Sequence, residues 1–145
     1  FGMPMGPFTL MDEIGLDIGY KVACLLEENL GARLKVPQIF KKVYEQKWLG
    51  KKTGKGFYIH KAKEKEPNKE IYDVLSNPQK TVLSDKDILN RMLSKMVKEA
   101  NLCLEEKVCN EPSDVDIGMI MGIGFPPFRG GLLRNMGDPK RLSLA

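Results

Sequence analysis

The chain has few of the residues from which most catalytic and metal sites are built. Its 145 residues contain one histidine, His60, and three cysteines. A nucleophilic cysteine needs a neighbouring base, and His60 is the only histidine that could serve as one. No cluster of histidine, cysteine and carboxylate residues has the spacing of a metal site. A catalytic or metal centre built from this chain alone is therefore disfavoured.

The three cysteines also argue against a disulfide framework. Cys24, Cys103 and Cys109 have no CxxC spacing, and an odd number cannot all pair within one chain. Cys24 and Cys103 lie among apolar residues on predicted helical faces. We expect them to be buried small hydrophobic residues in a reducing compartment.

Long apolar runs are absent as well. No run approaches the roughly 20 residues that span a bilayer, so we expect no membrane span. No signal or transit peptide is visible. Apolar residues make up 42% and charged residues 29% of the chain, as in an ordinary globular protein.

The net charge of +4 comes from a local excess of lysine. Residues 47–66 hold seven lysines against Glu64 and Glu66. A solvated connector is the favoured interpretation, and a surface that attracts phosphates is the alternative. We expect no nucleic-acid partner, because no nucleic-acid-binding motif accompanies these lysines.

The glycine-rich segments do not match nucleotide-binding motifs. Between Gly50 and Gly54 lie three residues rather than the four of a P-loop, and Gly56 follows Lys55 where Ser or Thr is needed. The segment from Gly122 to Gly124 continues into two prolines, which would block the helix start of a dinucleotide site. The chain therefore shows no cofactor site and no Rossmann domain of its own.

The remaining pattern predicts a mostly α-helical fold with little if any sheet. Helix boundaries are indicated by Pro7, Gly15, Gly31, Pro37 and by Ser84 as the N-cap of the longest helix. Apolar stripes at helical spacing are expected to be buried. Their members are Ile18, Val22, Leu25, Leu26 and Leu30 in one helix, and Ile88, Met92, Met96, Val97, Ala100 and Leu104 in the longest.

The isolated polar residues have simple interpretations. Asp12 and Asp17 flank Gly15 and are typical of helix ends, with Asp17 capping the second helix. His60 lies among lysines, which indicates a solvated side chain. Taken alone, the residues describe a helical interaction module rather than an enzyme.

One motif occurs twice, at an offset of 122 residues. The run from Gly2 to Gly15 aligns without gaps with the run from Gly124 to Gly137, so that Pro4 falls on Pro126. Such self-similarity indicates a duplicated unit. The second copy follows a long predicted helix, whereas the first starts at residue 1. We therefore expect the N-terminal helix of the first unit to be missing and the chain to be a fragment.

The two copies carry a family resemblance. The first run, followed by the segment from Gly50 to Tyr58, resembles the C-terminal domain of L-3-hydroxyacyl-CoA dehydrogenases. The second resembles the last domain of the multifunctional fatty-acid β-oxidation proteins, which include the mitochondrial trifunctional enzyme α-subunit and its bacterial counterparts. The residues that carry this second likeness are Ser84-Asp85, Asp87-Ile88, Glu99-Ala100, Cys103 to Glu106, Asp116 to Gly118 and Gly122 to Gly131.

The resemblance implies a fold and a division of the chain. The fold is a duplicated helical unit of the 3-hydroxyacyl-CoA dehydrogenase C-terminal type, which is like that of 6-phosphogluconate dehydrogenase. The first helical unit covers residues 1–60, a lysine-rich linker with a short helix covers 61–83, and the second unit covers 84–145. Residues 138–145 do not match, so that end is expected to be truncated or divergent.

The resemblance also implies an activity for the parent protein. The whole enzyme oxidises the 3-hydroxyl of an acyl-CoA with NAD, using a His–Glu pair of a preceding Rossmann domain that binds the cofactor. An enoyl-CoA hydratase domain can accompany it. Lacking that machinery, the fragment alone is expected to be inactive. The alternative is a non-catalytic dimerisation or assembly module.

Partners and location follow from the same resemblance. They are the acyl-CoA substrate, the protein's own Rossmann domain, a thiolase subunit and a second copy of the chain. A mitochondrial location is expected, with the bacterial cytoplasm or the peroxisome as alternatives.

The resemblance implies substrate contacts for two groups of residues and no catalytic or metal-binding residue. The turn from Pro4 to Phe8 is expected to line the acyl-CoA cleft, through Pro4, Met5, Gly6, Pro7 and Phe8. The glycine- and lysine-rich segment from Gly50 to Gly56, called the basic loop, is expected to face the CoA phosphates through Lys51, Lys52 and Lys55.

Overall fold

The structure is a computed structural model that describes residues 1–61, 64–75 and 81–137. Within these ranges the chain is mainly helical and has one two-stranded sheet, which confirms the predicted fold class. The α-helices are α1 (Pro7–Ile14), α2 (Leu16–Leu30), α3 (Gln38–Glu45), α4 (Glu70–Val74), α5 (Asp85–Glu105), α6 (Pro112–Ile123) and α7 (Leu132–Gly137). The strands are β1 (Tyr58–Lys61) and β2 (Glu64–Pro67). Short 3₁₀ turns cover Gly31–Leu34, Lys51–Thr53 and Pro127–Arg129.

The chain forms two compact units. The N-terminal unit is Met5–Lys80, and the C-terminal unit combines Phe1–Pro4 with the chain from Thr81 onward. The division predicted from the family resemblance, at residues 60 and 84, stays a prediction. Its linker falls partly on residues 62–63 and 76–80, and the unmatched end falls on 138–145, all outside the described residues.

Leu16, Val43 and Phe57 form the buried centre of the N-terminal unit. Gly15, with φ of +97°, separates α1 from α2 and provides the N-cap of α2 in place of the predicted Asp17, which lies in the first turn. A side chain is strained at this φ, so glycine suits the sharp change of direction.

A β-hairpin extends the N-terminal unit beyond the basic loop. β1 and β2 pair antiparallel, with Tyr58 opposite Pro67 and Lys61 opposite Glu64. The hairpin leads to α4, which confirms the short helix predicted around Ile71. The β2 strand was missed because its sequence, Glu64 to Pro67, is exposed and lacks an apolar alternation.

Leu93, Ala100, Phe125 and Leu132 form the buried centre of the C-terminal unit. Ser84 caps α5 as predicted, accepting a hydrogen bond from the backbone N–H of Asp87 at 3.1 Å. The predicted stripe of α5 is wrong at its first turns, because Ile88 and Met92 are 44% and 40% exposed whereas Leu93 is buried.

The apolar face predicted for α2 is exposed rather than buried. Ile18, Val22 and Leu25 are 51%, 48% and 58% exposed, and Leu26 and Leu30 are also above 40%. The periodicity identified the helix correctly, but no described part of the chain covers this face.

The repeated motif is present as a reciprocal contact within the C-terminal unit. A Cβ atom on Gly2 would lie 3.0 Å from Cγ of Pro126, and one on Gly124 would lie 3.0 Å from Cγ of Pro4. Both glycines have positive φ, +112° and +69°. Because Gly2 aligns with Gly124 and Pro4 with Pro126, equivalent residues exchange the same contact, as at a two-fold interface.

Candidate functional site

The turn predicted to line the acyl-CoA cleft is exposed along its length. Pro4, Met5, Gly6, Pro7 and Phe8 are all accessible to solvent. Gly6 is the N-cap of α1 and Pro7 its first residue, where the missing N–H is not needed. The backbone N–H of Leu10 then donates to the carbonyl of Gly6 at 3.0 Å, which closes the first helical turn.

The aromatic ring of Phe8 packs against another aromatic ring, although Phe8 is 54% exposed. Its centroid lies 4.5 Å from that of Phe57, which is buried. Met5 is 44% exposed. Phe8 is therefore held in place with one face open, as a ligand-contacting aromatic residue would be.

Asp12 is the polar centre of the N-terminal unit. Its side chain is fully buried and accepts hydrogen bonds from the backbone N–H groups of Phe57 and Tyr58 at 2.8 and 2.9 Å. It also lies 2.8 Å from Nε2 of His60, whose side chain is 13% exposed. A carboxylate only accepts hydrogen bonds, so Nε2 donates and Asp12 connects α1 to β1.

These contacts correct two predictions. Asp12 is a buried long-range acceptor rather than a residue that caps a helix end, and His60 is not a solvated side chain. Both were misread because their partners lie more than 40 residues away in sequence, where local patterns carry no signal. The sequence signal for this contact was limited to an aspartate in a predicted helix and a separate glycine-rich loop that could pack closely against it.

Two glycines of the basic loop make room for Asp12. A Cβ atom on Gly50 would lie 2.4 Å from the backbone oxygen of Asp12, and one on Gly56 would lie 2.3 Å from its Oδ1. Real Cβ atoms do not approach so closely, so these positions exclude side chains. The glycine-rich segment thus packs a loop against a buried carboxylate.

The three lysines predicted to face CoA phosphates each pair with a carboxylate. Lys51 lies 3.0 Å from Glu13, Lys52 pairs with Asp17, and Lys55 lies 2.7 Å from Glu70. The ammonium of Lys55 also lies 4.3 Å from the ring centroid of Trp48. The hydrogen bond from Lys52 lowers the pKa of Asp17 below its usual 3.8, against an opposing effect of burial.

A largely apolar cavity of about 590 Å³ opens beside Phe8 in the N-terminal unit. Its volume lies within the roughly 300–1,000 Å³ that is usual for small-molecule sites. The lining residues come from α1, α3, the hairpin and α4, and are Phe8, Pro37, Gln38, Ile39, Phe57, Tyr58, Pro67, Asn68, Ile71, Tyr72 and Leu75.

The C-terminal unit has its own buried carboxylate. Asp116 accepts hydrogen bonds from the backbone N–H groups of Leu133 and Arg134 at 2.7 and 3.2 Å. A Cβ atom on Gly131 would lie 2.3 Å from Asp116, so the glycine is required for this approach. Asp116 thereby fixes the start of α7.

The cysteines are free and half-buried rather than fully buried. Cys103 and Cys109 line a second cavity of about 550 Å³ in the C-terminal unit. Burial, with a smaller contribution from Cys103, raises the pKa of the Cys109 thiol, so the reactive thiolate is disfavoured at neutral pH.

Within residues 1–61, 64–75 and 81–137, no three His, Cys, Asp or Glu side chains are grouped so that they could hold a metal ion. Among the same residues, no helix is long and apolar enough to cross a membrane.

Sequence comparison matches the segment that carries these features to a known family. The family described as 3-hydroxyacyl-CoA dehydrogenase, C-terminal domain, matches residues 1–60, which include the turn, Asp12 and the basic loop. The fatty acid oxidation complex subunit alpha of Vibrio vulnificus is 47% identical over 94% of the chain. Residues 1–60 of the chain belong to this C-terminal domain family.

The similarity to curated relatives extends past the matched domain into the C-terminal unit. The fatty acid oxidation complex subunit alpha of Shewanella amazonensis is 45% identical over 94% of the chain. The chain spans only 19% of the Vibrio vulnificus protein and 20% of the Shewanella amazonensis protein. It therefore corresponds to about a fifth of each.

Solved structures agree with the fold. The dehydrogenase part of multifunctional enzyme 1 from C. elegans is 31% identical, with a TM-score of 0.58 over 88% of this chain and 30% of that one. The 3-hydroxybutyryl-CoA dehydrogenase of Escherichia coli K12 has a TM-score of 0.64 over 97% of this chain and 49% of that one, and at 18% identity it supports the fold alone.

The family of dehydrogenases implies NAD, but the described residues do not fit this cofactor. A dinucleotide fold places the pyrophosphate at a helix start that follows a strand of a parallel sheet. In the part of the chain that the structure describes, the strands form an antiparallel pair, β1 with β2, that leads into the five-residue α4.

Proposed function

We propose that the chain is the C-terminal part of an NAD-dependent 3-hydroxyacyl-CoA dehydrogenase of fatty-acid β-oxidation. The support is the matched domain together with identities of 44–47% to fatty acid oxidation complex α-subunits. In this proposal NAD and the catalytic His–Glu pair belong to a separate Rossmann domain, and the parent can also carry a hydratase domain. The chain alone is inactive.

The role proposed for the chain is to form one wall of the acyl-CoA cleft. The single observation that carries this role is the exposed turn, in which Phe8 is open to solvent while its ring rests on buried Phe57. Pro4, Met5, Gly6 and Pro7 complete the same exposed stretch. Asp12 acts as a positioning residue, because it holds α1 against the segment that carries Phe57.

Contact with the CoA phosphates through Lys51, Lys52 and Lys55 is a second part of the proposal. Each ammonium now pairs with a carboxylate, so phosphate oxygens would replace Glu13, Asp17 and Glu70 as partners. These pairs are exposed and contribute little to stability, so the exchange is inexpensive.

The proposed partners are a Rossmann domain, a second copy of the chain and a thiolase subunit. The exposed apolar face of α2 supports contact with another protein surface. An assembly module without a role in catalysis is the alternative, favoured by the same face. The Vibrio and Shewanella relatives favour the bacterial cytoplasm over the mitochondrion or the peroxisome.

Calorimetric titration of the purified chain tests the proposal. Acetoacetyl-CoA is expected to bind and NAD is expected to give no binding heat. Phe8→Ala is expected to weaken binding of acetoacetyl-CoA, whereas Met121→Ala, which removes an 81% exposed side chain of α6, is a matched control. Failure of acetoacetyl-CoA to bind would favour the assembly module, and saturable NAD binding would contradict the division of roles.

A further inference from the structure

The turn that follows the long helix α5 brings two cysteines together in the C-terminal unit. Cys103 lies in the last turn of α5, and the backbone N–H of Val108 donates to its carbonyl at 2.8 Å. The N–H of Lys107 donates to the carbonyl of Leu104 at 3.1 Å. These two bonds form a Schellman motif, in which Lys107 is the left-handed residue with φ of +57°. The motif turns the chain back along α5 and returns Cys109 to the neighbourhood of Cys103.

The backbones of the two cysteines are in direct contact. The N–H of Cys109 also donates to the carbonyl of Cys103, with 3.5 Å between nitrogen and oxygen. With standard bond lengths, this contact places the two Cα atoms within about 7 Å of each other. Cysteines joined by a disulfide usually have Cα atoms about 4.4–6.8 Å apart. A bond between Cys103 and Cys109 therefore needs at most a small adjustment of the turn.

The side chains of the two cysteines face the same space. Both are free and half-buried, and both line the cavity of about 550 Å³ in the C-terminal unit. Burial raises the pKa of the Cys109 thiol, and the nearby Cys103 raises it further. An electrostatic effect of one thiol on the other requires that they be close. The side chains thus agree with the backbone in making the two sulfur atoms neighbours.

We propose that Cys103 and Cys109 form a peroxide-sensitive dithiol, which is oxidised to a disulfide within one chain. This modification site is separate from the proposed dehydrogenase function and does not depend on it. In a reducing compartment, disulfides of this kind are usually transient and serve redox sensing. The bond ties the turn that contains Val108 to the end of α5.

The reaction proceeds in two steps. The sulfur of Cys103 attacks one oxygen of hydrogen peroxide, so that the O–O bond breaks and an S–O bond forms, and the other oxygen leaves as water with the thiol proton. The sulfur of Cys109 then attacks the sulfenic sulfur, and the hydroxyl leaves as water with the second thiol proton. Two thiols lose two electrons, and one peroxide is reduced to two waters. Cys103 is assigned the first step because the thiolate of Cys109 is disfavoured.

Mass spectrometry of the peroxide-treated chain, digested with trypsin without reductant, tests the pairing. Trypsin cuts after Lys107, so the two cysteines fall on separate peptides, 99–107 and 108–129. The expected product joins these peptides with the loss of two hydrogens, and dithiothreitol separates them. Cys24→Ser, which removes the thiol of α2, is the matched control and keeps the product. Cys103→Ser and Cys109→Ser each lose it.

Dimedone, which labels sulfenic acid, tests the order of the two steps. After peroxide, Cys103 in the Cys109→Ser variant is expected to carry several-fold more label than Cys109 in the Cys103→Ser variant. Labelling in the reverse order would overturn the assignment of Cys103 to the first step.

The wild-type digest decides the pairing without reference to the stability of any variant. If peptides 99–107 and 108–129 stay separate after oxidation of the folded chain, the proposal is wrong. It is equally wrong if the linked product comes only from dimers between chains on a non-reducing gel. Joined peptides from the monomer band, which separate with dithiothreitol, support it.

Discussion

Asp12 lies with its Oδ2 atom 2.8 Å from Nε2 of His60, and this contact joins α1 to β1 across 48 residues of sequence. The same carboxylate also accepts the backbone N–H groups of Phe57 and Tyr58. Since Phe57 supports the ring of Phe8, the buried contact determines where the exposed turn is held. Stability and the proposed substrate wall therefore depend on one side chain.

Replacement of Asp12 by asparagine is expected to destabilise the chain by about 3 kcal/mol, because an amide presents a donor to groups that donate. The free energy of unfolding in urea measures this loss. Glu13→Gln on the same helix is the control, since its ion pair with Lys51 is exposed and is worth less than about 1 kcal/mol. Equal stability of the two variants would refute a central role for Asp12.

A methyl group at Gly56 is expected to be more harmful than one at Gly118. A Cβ atom at Gly56 would lie 2.3 Å from Oδ1 of Asp12, whereas one at Gly118 in α6 would meet nothing within 4 Å. Gly56→Ala should therefore lower the melting temperature. Gly118→Ala should raise stability by about 0.5–1 kcal/mol, since alanine favours helix. A neutral Gly56→Ala variant would contradict the close packing.

The Lys52–Asp17 pair predicts that the stability of the folded chain depends on pH. The hydrogen bond from Lys52 lowers the pKa of Asp17 in the folded chain. Its stabilising contribution is therefore present above the unfolded value near 3.8 and is lost as pH falls through the folded value. An NMR titration of the Asp17 carboxyl carbon should show a higher pKa in Lys52→Gln than in the wild type. The same pKa in both would exclude the pairing.

Features that depend on residues close together in sequence were predicted correctly, and features that depend on distant residues were not. Ser84 was assigned correctly as the cap of α5 because its partner, Asp87, lies three residues away. The helix containing Val22 was predicted from the spacing of its apolar residues. The exposure of its apolar face was not predicted, since burial depends on what packs against that face. Asp12 and His60 were misread because the contact between them depends on the folded chain rather than on its local pattern.

The exposed face of α2 predicts association of the purified chain. Ile18, Val22 and Leu25 expose a continuous apolar surface, which favours contact with a second copy. Light scattering at increasing concentration should give a mass above that of the monomer, and Leu25→Glu should lower it. Lys21→Glu introduces the same side chain at an exposed polar position of α2 and serves as the control. A monomer at every concentration would contradict this expectation.

A chimera tests the central claim most directly. The corresponding fifth of the Vibrio vulnificus fatty acid oxidation complex subunit alpha is replaced by this chain, and NADH formation is measured with a 3-hydroxyacyl-CoA. If the chain is the C-terminal part of such a dehydrogenase, kcat/KM should stay within about tenfold of the unaltered subunit. A chimera that folds, as shown by circular dichroism and gel filtration, yet forms no NADH would contradict the account.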